Sequence, residues 1–398
     1  MALITQLKEA VQKNSSLREQ IKSIGSLGLC IFPIQSNKVV MDNFYGRGYG
    51  DNPKYIAEEL RKRGGYQIVW LCNDLTEKFP EGIQVVKRHS ARSFYEAATA
   101  KAYVMNMRSG KLTKKRKNQI FLQTWHGSVA LKKVEKDAVD SMPAQYIYHA
   151  QEDGRVADGI LVDGKPNEDL FKRSFWLSSD CELLRFGTPR TDVLLNEKDN
   201  ASLKERVRNA LGIDSDSYFV LYAPTFRSGE SVASYLSDFS SIRKAFEDKY
   251  GKTTMAVRLH PNLREAESAI EWVKNCGLID ASAYPDADEL VIAADCLITD
   301  YSSIAYDFAV ISKPVFLYVN DMDDYISDRG VYDIFYEQPF RLNRDMDMLL
   351  EDISQRTADS YAASLSRFYE KYPTYNDGRA ASRTVDWLER KGLKSRSQ

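Results

Sequence analysis

The chain's 398 residues suffice for two or three domains of ordinary size, and 43% hydrophobic with 28% charged residues is the balance of a globular protein. Its 55 Lys and Arg face 56 Asp and Glu for a formal net charge of −1, which argues against a dedicated nucleic-acid binder and confines any polyanion site to a small cluster. The cysteines Cys30, Cys72, Cys181, Cys276 and Cys296 form neither a Cys-x-x-Cys pair nor a zinc spacing, and read as scattered thiols of a reducing compartment. No signal peptide opens the chain and no apolar run approaches the ~20 residues of a membrane span, so the expectation is a cytoplasmic protein or one resting on a membrane surface.

The first predicted element is a helix over residues 3–24. Leu3, Ile4, Leu7, Val11, Leu17, Ile21 and Ile24 recur near a helical period, with Lys8, Lys13, Arg18 and Lys22 elsewhere. Such a helix either packs on its own domain or lies in a membrane interface. Apolar runs at Gln67–Cys72, Ala102–Met107 and Gln119–Gln123 then read as buried strands. A helical stretch at Ser202–Leu211 precedes a second series, with strands at Tyr218–Ala223, Thr254–Leu259, Cys296–Thr299 and Pro314–Val319. Strands alternating with helices imply parallel sheets, hence an α/β protein of two stacked domains with a cleft between them. The expected divisions are a lead-in helix over 1–37, a first domain over 38–200, a second over 201–375, and a terminal helix over 376–398 able to cross back onto the first.

Ligands of open parallel sheets bind at the carboxyl ends of the strands, and four unusual segments fall there. The first is Gln123-Thr124-Trp125-His126-Gly127-Ser128. An imidazole with a pKa near 6.5 suits a base at neutral pH, though His126 could equally be a loop histidine held by a structural hydrogen bond. In Arg258-Leu259-His260-Pro261, strand alternation puts Arg258 and His260 on one face, a fork for phosphate oxygens beside a second imidazole. Thr299-Asp300-Tyr301-Ser302-Ser303 leads into a helical run, where N–H groups and two hydroxyls make either an anion site or simply a helix cap. Ala223-Pro224-Thr225-Phe226-Arg227 places Arg227 on the same rim.

Other patterns carry less. Gly46, Gly48 and Gly50 have the wrong spacing for a dinucleotide loop, and there is no Walker motif. Asp321-Met322-Asp323-Asp324 reads as a solvated acidic loop rather than a metal-binding Asp-x-Asp; no residue is assigned to a metal, and the need for a divalent ion is left open. The run Lys114-Lys115-Arg116-Lys117 reads as a solvated loop or a contact to anionic lipid.

Taken together and in this order, the segments resemble the CDP-glycerol glycerophosphotransferase family, which makes teichoic acids and related capsule polymers. The resemblance is carried by Asp42–Leu60 (DNFYGRGYGDNPKYIAEEL), Gln123–Lys133 (QTWHGSVALKK), Gly187–Leu194 (GTPRTDVL), Tyr222–Arg227 (YAPTFR), Arg258–Pro261 (RLHP), Thr299–Tyr318 (TDYSSIAYDFAVISKPVFLY) and Asn376–Asp386 (NDGRAASRTVD). It implies a GT-B-like fold, two Rossmann-like domains facing across a cleft, with donor nucleotide on the C-terminal domain and acceptor lipid on the N-terminal one. It puts the family's two functional histidines on His126 and His260, one from each domain. It implies a donor diphosphate site at Thr299, Asp300, Ser302 and Ser303, to which Arg227 and Arg258 are added on charge and position. Trp125, Gly127, Asp51 and Asn52 fall on the acceptor side.

The implied reaction moves a polyol phosphate, glycerol phosphate first, from a CDP-polyol donor to a hydroxyl of a lipid-linked wall or capsule glycan, with release of CMP. The implied setting is peripheral, on the inner face of the cell membrane, with no tightly bound cofactor, no nucleic acid and no oligomeric state assigned. Two departures stand out. Phe226 occupies a position where the family more often has tryptophan, and the first 37 residues match no family segment. The absence of a long extra N-terminal region points to a compact primase-like or capsule-type enzyme. Competing readings are a GT-B glycosyltransferase using a UDP- or GDP-sugar and a non-catalytic membrane-surface scaffold.

Overall fold

The computed structural model describes residues 28–109, 115–225, 236, 238–259 and 267–396. The expected helix over 3–24 lies outside the described residues, as do Lys114, Phe226, Arg227 and His260.

Seven strands form the first sheet: β1 (Gln35–Asp42), β2 (Gln67–Cys72), β3 (Ile83–Lys87), β4 (Ala100–Met105), β5 (Ile120–Gln123), β6 (Gly159–Leu161) and β7 (Glu182–Leu184). They are all parallel, in the order β3-β2-β1-β4-β5-β6-β7. Six strands form the second: β8 (Tyr218–Ala223), β9 (Thr253–Val257), β10 (Ile279–Asp280), β11 (Cys296–Thr299), β12 (Val315–Tyr318) and β13 (Leu342–Asn343). These too are parallel, in the order β10-β9-β8-β11-β12-β13. Helices cover both faces of each sheet, which is why the strands read as unbroken apolar runs rather than alternating ones. Val39, Met41, Trp70 and Val104 pack on one face of the first sheet, and Val40, Val69, Leu71 and Phe121 on the other.

Each sheet starts at an inner strand, winds outward to one side, and then returns to build the other. Strand order therefore reverses between β1 and β4 in the first sheet and between β8 and β11 in the second. A doubly wound sheet opens its ligand crevice outside the strand ends at such a reversal, so each lobe presents one crevice.

The helices Pro189–Glu197 and Ala201–Leu211 carry the chain from one lobe to the other, and Leu194 is already part of the second lobe's core. Helix Ala380–Arg390 returns to the first lobe, where Val385, Trp387 and Leu388 are buried in one apolar cluster with side chains of the first sheet. There Trp387 Nε1 donates to Glu182 Oε2 at 3.2 Å, and Arg63 pairs with Asp386 at 2.7 Å.

Three local expectations change. Strand β9 stops at Val257, because Leu259 N–H turns away to donate to Ser282 Oγ at 2.9 Å. The acidic Asp321–Asp324 group is not a loop but opens the helix Met322–Arg329. It is pinned by Tyr301, whose hydroxyl donates to Asp321 Oδ1 at 2.8 Å and whose ring stacks on Tyr325 at 3.6 Å between centroids. Of the basic run, Lys115 pairs with Asp158 at 2.9 Å and Arg116 donates to the Phe32 carbonyl at 2.8 Å, so those two charges serve the fold. No helix among the described residues is long and apolar enough to cross a membrane.

Candidate active site

His126 stands just past β5, at the first lobe's reversal point. Its Nδ1 lies 2.8 Å from the carbonyl oxygen of Asn106, the residue following β4. A carbonyl can only accept, so Nδ1 carries the proton and the neutral ring keeps its lone pair on Nε2. The ring is clamped edge-to-face by Phe44 at 5.5 Å and packs on Trp125 at 4.2 Å between centroids. Burial holds its pKa below the ordinary 6.5; the Asn106 hydrogen bond and the Asp51 carboxylate oppose that, while Arg190 and Lys132 add to it. The imidazole is thus kept neutral at physiological pH, with its lone pair on Nε2.

Backbone strain gathers around this ring. Phe44, Asp51 and Trp125 adopt φ of 43°, 55° and 55°, a region that non-glycine residues seldom visit and that is held only where surrounding contacts impose it. Asn106 Oδ1 accepts the Phe44 N–H at 2.9 Å, and Asn52 holds Trp125. Only 1% exposed, the Asn52 amide donates to the Trp125 carbonyl at 3.1 Å and accepts the Arg190 N–H at 3.0 Å. Its side chain is therefore spent on positioning the histidine loop and is not available to a substrate. Trp125 is likewise buried, its indole edge-on to Phe175 at 4.6 Å.

Gly127 carries the loop across the cleft. A Cβ placed on it would stand 3.7 Å from Ser303 Oγ, so the histidine loop faces the start of helix Ile304–Val310 in the second lobe. Ser302 and Ser303 are half-exposed there. Asp300 is 4% exposed, and its carboxylate accepts the Thr225 N–H at 3.0 and 3.1 Å, joining the loops after β8 and β11 at the second reversal point. Thr299 is fully buried with its hydroxyl on the Ala223 carbonyl at 2.6 Å, so it fixes the rim from below. Arg258 gives donors to the carbonyls of Ala281 at 3.2 Å and Tyr284 at 2.7 Å, which orients the loop after β10. Arg227 and His260 lie outside the described residues, so the expected meeting of two histidines is not among the described contacts.

Several residues inside the matching segments, with no role assigned to them from sequence, complete the arrangement. Arg190 Nη2 donates to Ser128 Oγ at 2.7 Å and to Asp307 Oδ1 at 2.9 Å, and Ser128 Oγ itself donates to that oxygen at 2.9 Å. Burial opposes the charge on Arg190, but Asp307, Asp51, Asp288 and Asp163 hold it firmly cationic. Lys132 pairs its backbone with Val331 of the second lobe. Burial and Arg329 lower the pKa of its ammonium against the pull of Asp300. One signal could have exposed the first group: an aspartate inside the apolar helix Ile304–Val310 (IAYDFAV) requires a buried partner. Nothing in the sequence marked Asn106. Among the described residues, no cluster of three His, Cys, Asp or Glu side chains is grouped as metal ligands would be.

Residues 27–390 match the family model described as CDP-Glycerol:Poly(glycerophosphate) glycerophosphotransferase. The chain is 29% identical to the teichoic acid glycerol-phosphate transferase of Staphylococcus aureus, over 87% of this chain and 91% of that protein. It is 28% identical to the teichoic acid poly(glycerol phosphate) polymerase of Staphylococcus epidermidis over 90% of this chain, and spans only 51% of that polymerase's length. Among solved structures, one of the wall teichoic acid polymerase TagF soaked with CDPG superposes with a TM-score of 0.83 at 25% identity, covering 98% of this chain and 96% of that one. The GT-B-like arrangement expected from the sequence is therefore the fold of this chain.

Proposed function

The chain belongs to the CDP-glycerol:poly(glycerophosphate) glycerophosphotransferase family, and on that premise we propose that it transfers glycerol phosphate from CDP-glycerol to a hydroxyl of a lipid-linked teichoic-acid or capsule precursor. The observation that carries this reading is the state of His126. Its Nδ1–H is tied to Asn106, its pKa is depressed, and its Nε2 lone pair has no hydrogen-bond partner among the described residues. The adjoining Gly127 faces Ser303 on the donor-side lobe.

In the proposed reaction the acceptor hydroxyl attacks the phosphorus bearing glycerol. A new phosphorus–oxygen bond forms, the bond to the bridging oxygen breaks, and CMP leaves with that electron pair. His126 Nε2 takes the hydroxyl proton, a contribution typically worth ~10²–10⁴ in rate. Ser302 and Ser303, together with His260, Arg258 and Arg227, stabilise the charge that builds on the diphosphate. Lys132, on the histidine's own loop and within the field of Asp300, adds a cation on the acceptor side. The lipid-linked acceptor and peripheral membrane placement follow from the same reading.

Thermal shift against CDP-glycerol, CDP-ribitol, CMP and UDP-sugars tests it. A ligand at 100 times its Kd stabilises by about 2.7 kcal/mol. Stabilisation by CDP-polyols and CMP supports the reading, and stabilisation by UDP-sugars alone refutes it in favour of a glycosyltransferase.

A further inference from the structure

We propose that Arg190 is a positioning residue that locks the histidine loop to the donor-side helix and so sets the reach from His126 to the phosphate under attack; this rests on the proposed transfer reaction. The geometry is a three-way contact across the lobes. One guanidinium nitrogen touches both Ser128 Oγ at 2.7 Å and Asp307 Oδ1 at 2.9 Å, and the 2.9 Å bond from Ser128 to Asp307 closes the triangle. Ser128 lies two residues beyond His126, and Asp307 lies in the first turn of the helix that Ser302 and Ser303 introduce. The main-chain N–H of the same Arg190 is held by Asn52, which also holds the Trp125 carbonyl. Arg190, on the helix Pro189–Glu197 between the two lobes, is the residue that touches Ser128, Asp307 and Asn52 together.

All three members are at most 8% exposed, so the contacts are unscreened by solvent and leave little play. Breaking the triangle frees the histidine loop and the phosphate-side helix to drift apart. Misplacement by about 1 Å at a reacting centre costs on the order of 100-fold in rate. Donor binding belongs to the second lobe alone in this account, so it is spared.

Arg190 also acts on His126 through its charge, which gives a second readout. The charged groups acting on the imidazole are Asp51 of helix Asp51–Arg63, Arg190 and Lys132, while Asp163, Asp288 and Asp307 surround Arg190 itself. Arg190 favours the neutral ring and Asp51 the charged one. The chain has only four histidines, so the His126 titration is separable by NMR, with His126→Gln identifying the signal.

The experiment compares wild type, Arg190→Gln and Ser128→Ala by CMP release from CDP-glycerol with a lipid-linked acceptor analogue, and by histidine NMR titration. Expected are kcat losses of about 10- to 100-fold for both variants with KM for CDP-glycerol within about threefold. The His126 titration should move upward in Arg190→Gln and stay in place in Ser128→Ala. Ser128→Ala removes one hydroxyl and decides the matter if Arg190→Gln fails to fold. A kcat within twofold of wild type in Ser128→Ala, or a raised KM with kcat intact, overturns the proposal. If the wild-type protein releases no CMP from any CDP-polyol, the transfer reading fails. In that case an unmoved His126 titration in folded Arg190→Gln overturns the contact as well, and an upward shift leaves it standing.

Discussion

Asn52→Ala isolates the cost of holding the histidine loop in its strained shape. Asn52 is 1% exposed, and its amide bridges the Trp125 carbonyl at 3.1 Å and the Arg190 N–H at 3.0 Å. Truncation orphans the buried Arg190 N–H at about 1–3 kcal/mol and leaves the Trp125 carbonyl only its bond from Thr124 Oγ1 at 3.1 Å, a further loss of about 1 kcal/mol, for a total of about 3 kcal/mol. That is a large part of the ~5–15 kcal/mol by which proteins are stable. Relief of the unusual Trp125 φ of 55° offsets part of the loss, by about 1 kcal/mol, while letting His126 swing from its place. Urea unfolding measures the first effect and CMP release the second, with kcat expected to fall at least tenfold and donor KM to hold. A variant within 1 kcal/mol of wild type and fully active would show that Asn52 does not hold the loop.

Gly127→Ala should fold normally, because its new methyl meets only ordinary 3.7 Å contacts from Ser303 Oγ and Trp125 Nε1; it should nevertheless crowd the gap between the lobes and lower kcat about tenfold with donor KM held, read by melting temperature and steady-state kinetics. The kcat/KM profile should stay flat through pH 7 and fall on an acid limb below 6.5, since His126 is depressed from that value by burial and by Arg190 and Lys132. Burial pushes the Asp163 carboxyl up from 3.8 to about 6. The folded state therefore holds this proton more tightly than the unfolded chain, and the stability it contributes is complete below pH ~4 and lost as pH rises through ~6. Asp163→Asn should flatten that slope by up to about 3 kcal/mol across melts at pH 4 and pH 7. Gly154→Ala should leave little folded protein by circular dichroism, because its Cβ would stand 2.5 Å from the carbonyl oxygens of Phe175 and Trp176, which are backbone and cannot step aside.

The strands were legible because a parallel sheet buried on both faces writes itself as apolar runs such as QIVWLC at Gln67–Cys72. Strand order was not, since pairing β1 with both β2 and β4 depends on contacts far apart in sequence. At the site, the sequence singled out the His126 and Ser303 segments through their place at strand ends but did not show that Gly127 lies against Ser303. It marked Asn52 and Thr299 as ligand-side residues, whereas both turned out to be buried supports with their polar atoms spent on main chain. The Arg190–Asp307 pair spans 117 residues and lies in two separate motifs, so only the cost of burying each charge hinted at a partner. Strand β9 ends one residue before Arg258, at Val257, because the Leu259 N–H is drawn to Ser282 Oγ, and His260 lies outside the described residues.

The most direct measurement is product analysis. Wild type and His126→Ala are each incubated with CDP-glycerol and a lipid-linked disaccharide, followed by quantification of CMP and the mass of the acceptor. The account predicts that the acceptor gains glycerol phosphate in step with CMP released, and that His126→Ala still binds CDP-glycerol but loses about 100-fold or more of the transfer rate. Unchanged transfer by His126→Ala, or an acceptor that gains a sugar from a UDP-sugar and nothing from CDP-glycerol, would contradict it.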